Sequence, residues 1–421
     1  MVYTPVLGTG AARRESSSLS TRTHMSSIKK IIELQEKKSW TDWRWQISQA
    51  VRTPEQLARL VDLSETRITE ITKVLLPKKD GKVDEMRLTP FLLSLIDWNN
   101  PLDPIVLQHL PSKAELDKDD FSLEKIWEQS EDFADGENRM IQQKYPDVIL
   151  LRLSNTCHSY CRFCFQKERT LQSSVSTKTG EEEFNQALEI IRSKPEVRQV
   201  LISGGDPFIL TDEILLDRLG KLAVISHLST IRVNTRVLLH NPFRVTPELA
   251  TQLRTLTENS WNEKRERGIE LKIGVHFNHP AELTPEALDA IRLLQKNGVL
   301  VYNQSVLLKG VNDRAEILID LFRKLRQENI DLHYLSVAMT VPGTNHFRTS
   351  IRAAQEIMAQ LNKAKEFRGQ LPHLEMSHHT GKHIVPMNMN ETFYEDVVDG
   401  KPIIKFLSDI TDKWEVFPDA R

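Results

Sequence analysis

The residues of this chain best suited to chemistry lie in one short stretch, NTCHSYCRFCFQ (155–166). It contains Cys157, Cys161 and Cys164, and the 421-residue chain has no other cysteine. An odd, clustered set does not make a disulfide framework, and structural zinc takes four ligands, for which no second cysteine pair exists. Thiolates also bind iron–sulfur clusters. Three of them on a four-iron cluster leave one iron open to an exchangeable small molecule.

The residues directly before the cysteines predict the element that positions them. VILLRL (148–153) is short, apolar and rich in β-forming residues, which indicates a buried strand. Strand-like and helix-like patterns then alternate, which is typical of a parallel sheet with crossover helices. We predict an α/β fold, a partial (β/α)6 TIM-like barrel, whose strands span 148–153, 197–203, 231–236, 271–277, 299–304 and 332–338.

Polar residues occur where the predicted strands end. SGGDP follows the second strand, and Gly204 and Gly205 allow a backbone to approach a ligand closely, although a simple tight turn has the same sequence. His276 ends a later strand, and Asn303 and Gln304 end the next one. Active residues of parallel barrels lie at the carboxyl ends of strands. We therefore expect these side chains to share one opening with the cysteines, where amides and imidazoles can bind a ribose, an adenine or a carboxylate.

The cysteine spacing resembles that of the radical S-adenosylmethionine (SAM) enzymes. The pattern is C-x3-C-x2-C, with Tyr160 before the second cysteine and Phe165 after the third. The resemblance implies a [4Fe–4S] cluster on Cys157, Cys161 and Cys164, with the amino and carboxylate groups of SAM on the fourth iron. In that superfamily an electron from the cluster cleaves the sulfonium, and the resulting 5′-deoxyadenosyl radical abstracts hydrogen from a substrate.

Within that superfamily the chain resembles the lysine 2,3-aminomutase family from about residue 140 to 385. The resemblance is carried by KYPDVILLRLSNTC, GTNHFRTS and HFNHPAELTPEALDAIRLLQKNGVLVYNQSVLLKGVND. It implies that the backbone of SGGDP receives the methionyl amino group of SAM, with Asp206 in place of the commoner glutamate. It also implies SAM contacts from His276 and Gln304, and we include Asn303 beside them as cofactor-binding.

The family binds pyridoxal phosphate (PLP) on a lysine in a Pro-(Gly)4-Lys loop, and LEMSHHTGKHIVP is the corresponding stretch here. Gly381-Lys382 matches the end of that motif, which implies that Lys382 is the PLP-binding residue. Two histidines and a threonine replace the other glycines. Val148 stands where the family has an arginine that serves the cofactor phosphate. These replacements leave PLP binding open.

Three further positions concern the substrate. Gln166 stands where the family has an arginine for the substrate carboxylate, and an amide cannot reproduce a bidentate guanidinium–carboxylate pair. Met339 replaces one acid that holds the distal ammonium in the lysine enzymes, whereas Glu375 keeps the other. We therefore predict that free lysine is not the substrate, and that Lys382, Gln166 and Glu375 act on whatever amine is bound.

The predicted function is a radical SAM enzyme that abstracts hydrogen from a small amine-bearing substrate, most simply for a 1,2-amino migration. Two alternatives stay open at this point. The first is a PLP-independent radical enzyme on the same scaffold, which performs a dehydrogenation, an epimerisation or a bond formation. The second is a non-catalytic iron–sulfur or zinc module. The resemblance also implies an electron donor such as flavodoxin or ferredoxin, and a homo-oligomer.

Composition bounds the remaining expectations. The formal net charge is −2, and no basic patch or added RNA-binding module argues for a nucleic-acid partner. No apolar run is long enough for a membrane span, so we expect a cytoplasmic protein. We predict a disordered leader at 1–26 rather than a transit peptide, a helical extension at 27–140 and the barrel at 141–365. A C-terminal segment at 366–421 would cover the barrel mouth or a subunit interface.

Overall fold

The computed structural model describes residues 29–76, 84–117, 138–170, 179–261, 268–367 and 370–420. The predicted leader lies outside these residues. Short helices precede the sheet, and several begin at a polar cap: Thr53 accepts from the backbone N–H of Gln56, and Ser64 from that of Arg67. These helices are α1 (Lys29–Gln35), α2 (Trp43–Ser48), α3 (Pro54–Ala58), α4 (Glu65–Leu75), α5 (Pro90–Ser94) and α6 (Pro104–His109).

A nine-stranded sheet in the order β1 to β9 forms the barrel wall. Strands β2 to β8 pair in parallel, while β1 and β9 are antiparallel to their neighbours at the two ends. The strands are β1 (Ile141–Tyr145), β2 (Val148–Ser154), β3 (Gln199–Gly204), β4 (Thr230–Thr235), β5 (Glu270–Val275), β6 (Leu300–Leu307), β7 (Asp331–Val337), β8 (His373–His378) and β9 (Gly381–Ile384). The predicted partial (β/α)6 barrel is confirmed, and β8 adds a parallel strand that the sequence analysis did not assign.

Helices between the strands cover the outside of the sheet. Helix α8 shows why: Phe184, Leu188 and Ile191 recur at helical spacing, are buried, and belong to the same apolar core as Ile149 and Leu151 of β2. The helices of this part are α7 (Lys167–Thr170), α8 (Glu181–Arg192), α9 (Asp212–Ala223), α10 (Val237–His240), α11 (Pro247–Asn259), α12 (Pro285–Lys296), α13 (Ala315–Gln327) and α14 (Ile351–Lys363).

Strand alternation gives the barrel a polar lumen. Successive side chains of a strand point to opposite faces. Because Ile149 and Leu151 pack among the outer helices, Arg152 and Ser154 face the lumen. Gln142 of β1 lies beside them, because it is in register with Leu150, whereas a register shift between Gln143 and Tyr145 interrupts the alternation at Lys144. The lumen wall at β1 and β2 therefore presents a cation and hydrogen-bonding groups beside the apolar Val148 and Leu150.

The C-terminal residues form a second, three-stranded antiparallel sheet, β10 (Phe393–Val398), β11 (Lys401–Leu407) and β12 (Trp414–Pro418). Asp399 and Gly400 form the hairpin turn between β10 and β11, and both residues have positive φ, 51° and 73°. The sheet contacts the barrel where the backbone N–H of Ile351 donates to Asp419 at 2.9 Å. The division into an extension (27–140), a barrel (141–365) and a C-terminal segment (366–421) stays a prediction.

Candidate active site

The three thiols lie on the loop that follows β2, at the carboxyl end of the parallel strands, and all three are half-buried. The segment before the barrel holds this loop through its backbone. The N–H of Tyr160 donates to the carbonyl of Arg87 at 2.9 Å, and the N–H of Arg162 donates to that of Gln108 at 2.8 Å. The conformation of the loop therefore rests on chain contacts as well as on any bound metal.

A buried ion network ties the same loop to the N-terminal segment. Glu115 pairs with Arg162 at 2.7 Å and with Lys167 at 2.5 Å, and Asp84 lies within 4 Å of both cations. Burial by itself would raise the pKa of Glu115, but the two cations outweigh it and lower that pKa to about 2. The Lys167 ammonium is therefore paired within this network, although Lys167 directly follows Gln166, a predicted substrate-binding residue.

Gly204 and Gly205 pack against the cysteine loop at backbone distance. The N–H of Gly205 donates to the carbonyl of Ser154 at 2.6 Å, and that of Asp206 donates to Thr156 at 2.9 Å. A Cβ on Gly205 would lie 2.4 Å from the backbone nitrogen of Thr156, a distance no real side chain tolerates. The two glycines are thus required for the close approach of the second strand end to the cysteines.

The carboxylate of Asp206 is fully engaged by neighbouring donors. It accepts from the hydroxyl of Thr235 at 2.8 Å, from the N–H of Arg236 at 2.9 Å and from the N–H of Phe208 at 3.0 Å. It therefore links the ends of β3 and β4, a role that sequence analysis did not foresee. Contacts of Gly204, Gly205 and Asp206 with SAM stay a prediction.

The three thiols have raised pKa values, as expected of ligands that lose their protons when a metal binds. Burial raises the pKa of Cys164 to about 11, and it also raises the pKa values of Cys157 and Cys161. A buried thiol ionises when a cation compensates the charge, and metal ligation displaces its proton. A set of three thiols on one loop fits a [4Fe–4S] cluster, and ligation by these residues stays a prediction.

Three polar side chains surround Cys161 that sequence analysis did not single out. Arg236 donates from Nη1 to Cys161 Sγ at 2.8 Å, and His240 Nε2 lies 3.9 Å from the same sulfur. His109 is in turn 3.2 Å from His240. The three come from α6, from the end of β4 and from α10, so nothing in their local sequence indicates that they meet.

His276, another predicted SAM contact, also packs against the cysteine loop. Its ring packs edge-on against Phe163, 5.6 Å between centroids, and Nε2 lies 3.1 Å from the amide oxygen of Asn278. Burial, together with the nearby Arg236 cation, lowers the pKa of His276 to about 3. The ring is therefore neutral and suited to a hydrogen bond with an uncharged group. Its contact with SAM stays a prediction.

Asn303 and Gln304 differ although they are adjacent on β6. Asn303 is 2% exposed, accepts from the N–H of Phe277 at 2.9 Å and donates to Ser305 at 2.8 Å, so it braces β6 against the end of β5. Gln304 is less buried and its amide oxygen accepts from the hydroxyl of Tyr334. Gln304 is thus better placed than Asn303 to contact a ligand in the lumen.

Lys382 stands at the start of β9, and its backbone N–H donates to the hydroxyl of Tyr145 at the end of β1. Its Nζ donates to Glu375 at 2.6 Å and lies 3.4 Å from the centroid of the Tyr334 ring. Burial lowers the pKa of Lys382, and Glu375 partly offsets this. The side chain nevertheless keeps 41% of its surface accessible. Accessible surface combined with desolvation indicates that Lys382 lines an internal cavity.

Gln166 is 5% exposed, and its amide oxygen has no hydrogen-bond partner within the described ranges. A buried polar atom of this kind normally has a partner, which a bound ligand can supply. Gln166 lies two residues beyond Cys164 and its backbone carbonyl accepts from Thr170 at 3.0 Å. The residue is thus held beside the cysteine loop with an acceptor to offer.

Two cations of the lumen wall were missed by sequence analysis. Lys144 donates to the carbonyl of His378 at 3.3 Å, and Arg152 donates to Gln142 at 2.7 Å. Burial, followed by the Arg152 charge, lowers the pKa of Lys144 to about 8. The lumen beside the Lys382 hairpin is therefore crowded with positive charge. Alternation along β2 was the signal that could have identified Arg152, whereas the irregularity of β1 at Lys144 leaves no such signal there.

A (β/α) barrel whose first parallel strand runs into a C-x3-C-x2-C loop is the arrangement of radical SAM enzymes. The family model described as the Radical SAM superfamily matches residues 151–322. Among curated relatives, the chain is 34% identical to the L-lysine 2,3-aminomutase of Clostridium subterminale, over 76% of this chain and 72% of that protein.

Two other curated relatives are also 2,3-aminomutases. The chain is 32% identical to the L-lysine 2,3-aminomutase of Methanococcus maripaludis, covering 82% of this chain and 75% of that protein. It is 30% identical to the glutamate 2,3-aminomutase of Clostridioides difficile, covering 76% and 71%. The chain therefore belongs to the lysine 2,3-aminomutase-like family of radical SAM enzymes, which are isomerases that use SAM and a [4Fe–4S] cluster.

In the part of the chain that the structure describes, no helix has the length and apolar character needed to cross a membrane.

Proposed function

We propose that this enzyme moves an amino group between neighbouring carbon atoms of a small substrate other than free lysine, with PLP attached to Lys382. The observation that carries the proposal is the position of the Lys382 amine. It lies 3.4 Å from the ring centroid of Tyr334, whose hydroxyl donates to Gln304, a predicted SAM contact. A lysine desolvated in a cavity is the type that reacts with aldehydes, because its pKa is lowered.

The residues of the lumen fit the cofactors that the family uses. Cys157, Cys161 and Cys164 would hold the cluster, and the backbone at Gly205 and the side chains of His276 and Gln304 would hold SAM. When bound, the reduced cluster and SAM supply a 5′-deoxyadenosyl radical, and PLP supplies a conjugated ring that spreads an unpaired electron.

The chain's own groups would orient the PLP molecule. Lys382 would bind its aldehyde carbon, and Lys144 and Arg152 would face its phosphate in place of the residue lost at Val148. Arg152 lies on the lumen face of β2, and Lys144 donates to the carbonyl of His378, just before the turn that leads to Lys382. Glu375 would keep the Lys382 amine oriented, since the two groups are 2.6 Å apart.

Substrate choice follows from Gln166 and Glu375. A buried amide at Gln166 offers a carbonyl acceptor and an NH2 donor group. A guanidinium, by contrast, would bind a free carboxylate by two parallel hydrogen bonds. The Gln166 amide therefore suits an amine whose carboxyl group is uncharged or amidated. Glu375 provides the one carboxylate beside the Lys382 amine that the structure describes, and it would meet a substrate ammonium once Lys382 is engaged.

The test is an anaerobic assay of reconstituted protein with SAM, dithionite and a panel of free, esterified and amidated amino acids. Lys382→Ala should still produce 5′-deoxyadenosine but lose rearranged product at least a hundredfold. Borohydride treatment followed by mass spectrometry should find a pyridoxyl group on Lys382 in the unmodified protein. Lys413→Ala, at an exposed lysine in the connection between β11 and β12, is the matched control and should behave like the unmodified protein.

A PLP-independent radical reaction is the second candidate, and the turn before Lys382 favours it. His378 and His383 both hydrogen-bond Thr380 at 2.8 Å, so side chains fill a turn that the family builds from glycine. Product formation that survives Lys382→Ala without a bound pyridoxyl group would establish this candidate. Absence of any 5′-deoxyadenosine in all variants would point instead to a non-catalytic iron–sulfur module.

A further inference from the structure

Cys161 has a polar environment whose donors can be assigned atom by atom. His109 lies with Nδ1 2.9 Å from the carbonyl of Ile105, which can only accept, so Nδ1 carries the proton. Because the ring is fully buried beside the Arg236 cation, it is neutral, and Nε2 is an acceptor. The 3.3 Å contact from Arg236 Nη1 to His109 Nε2 agrees with this assignment, since a guanidinium can only donate.

The tautomer of His240 follows from that of His109. Its Nε2 lies 3.2 Å from the accepting nitrogen of His109, so Nε2 must carry the proton. The same N–H is 3.9 Å from Cys161 Sγ, within reach of a weak hydrogen bond to sulfur. His109 and Cys161 therefore compete for one proton of His240. The other nitrogen, Nδ1, has no hydrogen-bond partner among the residues described.

Arg236 is fixed in place independently of any cluster. Its Nη2 donates to Gln108 at 2.7 Å and to Glu282 at 3.0 Å, and its guanidinium lies 4.9 Å from the Phe163 ring centroid. The remaining Nη1 points at Cys161 Sγ at 2.8 Å. The sulfur thus faces one strong cationic donor and one weak neutral donor.

We propose that Arg236 and His240 hydrogen-bond the Cys161 sulfur to raise the reduction potential of the [4Fe–4S] cluster, and that His109 weakens the His240 contact. Hydrogen bonds to ligand sulfur stabilise the reduced cluster, which carries the additional negative charge. Arg236 and His240 are positioning residues in this role, because they act through Cys161. The inference rests on the proposed ligation of the cluster by Cys161.

The two histidines predict shifts of opposite sign. His240→Phe keeps a ring but removes the N–H, so the potential should become more negative. The variant leaves no new buried polar atom unpaired, because His109 still accepts from Arg236. His109→Phe removes the competing acceptor, so the His240 N–H turns fully to sulfur and the potential should become more positive. A general loss of packing would not separate the two variants by sign.

The experiment measures the midpoint potential of the cluster by electron paramagnetic resonance in a redox titration without SAM. His158→Phe is the matched control, because His158 is also fully buried in the cysteine loop but bonds Phe208 and Asn241 rather than a thiol. Equal midpoints for all variants, or equal shifts in both histidine variants and the control, would overturn the inference.

Metal analysis separates this inference from the proposed function. Four irons and four sulfides in the unmodified protein must be found first, and their absence would contradict the cluster itself. Stoichiometric zinc that disappears in His240→Phe would show instead that His109, Cys161 and His240 bind a single ion, which their ligand atoms, all within 4.8 Å of one another, permit. That result would also overturn the inference. His109→Phe carries the test alone if His240→Phe does not assemble a cluster.

Discussion

The two ends of the candidate site are built differently. The cysteine loop is held by backbone bonds from the N-terminal segment, by a buried ion network around Glu115 and by glycines packed against it. The Lys382 hairpin is held by the antiparallel pairing of β8 with β9 and by side-chain contacts, and its lysine keeps much of its surface accessible. The proposed cluster site is thus held by buried contacts from several elements, whereas the proposed PLP- and substrate-binding side presents an accessible lysine.

The largest expected difference between the two ends is the loss of stability caused by replacing a glutamate with glutamine. Glu115→Gln removes the carboxylate from between Arg162 and Lys167, which leaves both buried cations with only the more distant Asp84. Loss of one partner in a buried ion pair costs about 3–5 kcal/mol. We expect the free energy of unfolding, measured in guanidinium at pH 7, to fall by that amount.

Acid should reveal the same contact in the unmodified protein. The folded pKa of Glu115 is about 2, below its ordinary value of 4.5, so its stabilisation is complete above pH 4.5. It is lost as the pH falls from 4.5 towards about 2, and Glu115→Gln should lack this part of the acid dependence. Glu70→Gln, at a partly exposed pair with Arg67, is the control and should change stability by less than about 1 kcal/mol. Similar losses in the two variants would contradict the buried network.

A second, smaller effect tests the backbone contact at the cysteine end. Gly205→Ala introduces a Cβ against the backbone of Thr156, so the strand end and the loop must move apart. Overpacking of this kind costs about 1–3 kcal/mol, and the cluster content should fall with it. Gly220→Ala, within α9 and with open space around it, should instead stabilise the protein by about 0.5–1 kcal/mol. A Gly205→Ala protein with full stability and full iron content would show that the close approach is dispensable.

Sequence analysis predicted the local elements of the molecule but not the contacts between distant elements, and the reason is physical. The barrel strands, the cysteine loop and the Asp399-Gly400 hairpin follow local patterns of hydrophobicity and turn residues, and the structure contains them. The roles of Asp206 and Asn303 as braces, and the meeting of Arg236 with His109 and His240, depend on contacts between distant elements. No local pattern carries such contacts, so their discovery required the folded chain.

The smallest expected effect on stability is that of Glu375→Gln. The informative result is the direction in which this substitution moves the pKa of Lys382. Glu375→Gln should change stability by less than about 1 kcal/mol, because its partner Lys382 is 41% exposed and solvent screens the pair. Glu375 raises the pKa of Lys382 against the lowering by burial, so its loss lowers that pKa further. The neutral amine is the form that reacts with an aldehyde. Attachment of PLP, trapped by borohydride and quantified by mass spectrometry, should therefore reach half its maximum at a lower pH than in the unmodified protein.

The control for this prediction is Glu415→Gln, a change of the same kind on the C-terminal sheet near His378 and His379 rather than Lys382. It should leave the pH profile of PLP attachment unchanged. A profile that moves to higher pH in Glu375→Gln would mean that the carboxylate acts mainly by removing the proton of Lys382 rather than by stabilising its charge. A loss of stability as large as that of Glu115→Gln would show that the hairpin is as rigidly built as the cysteine loop, and the contrast between the two ends would then fail.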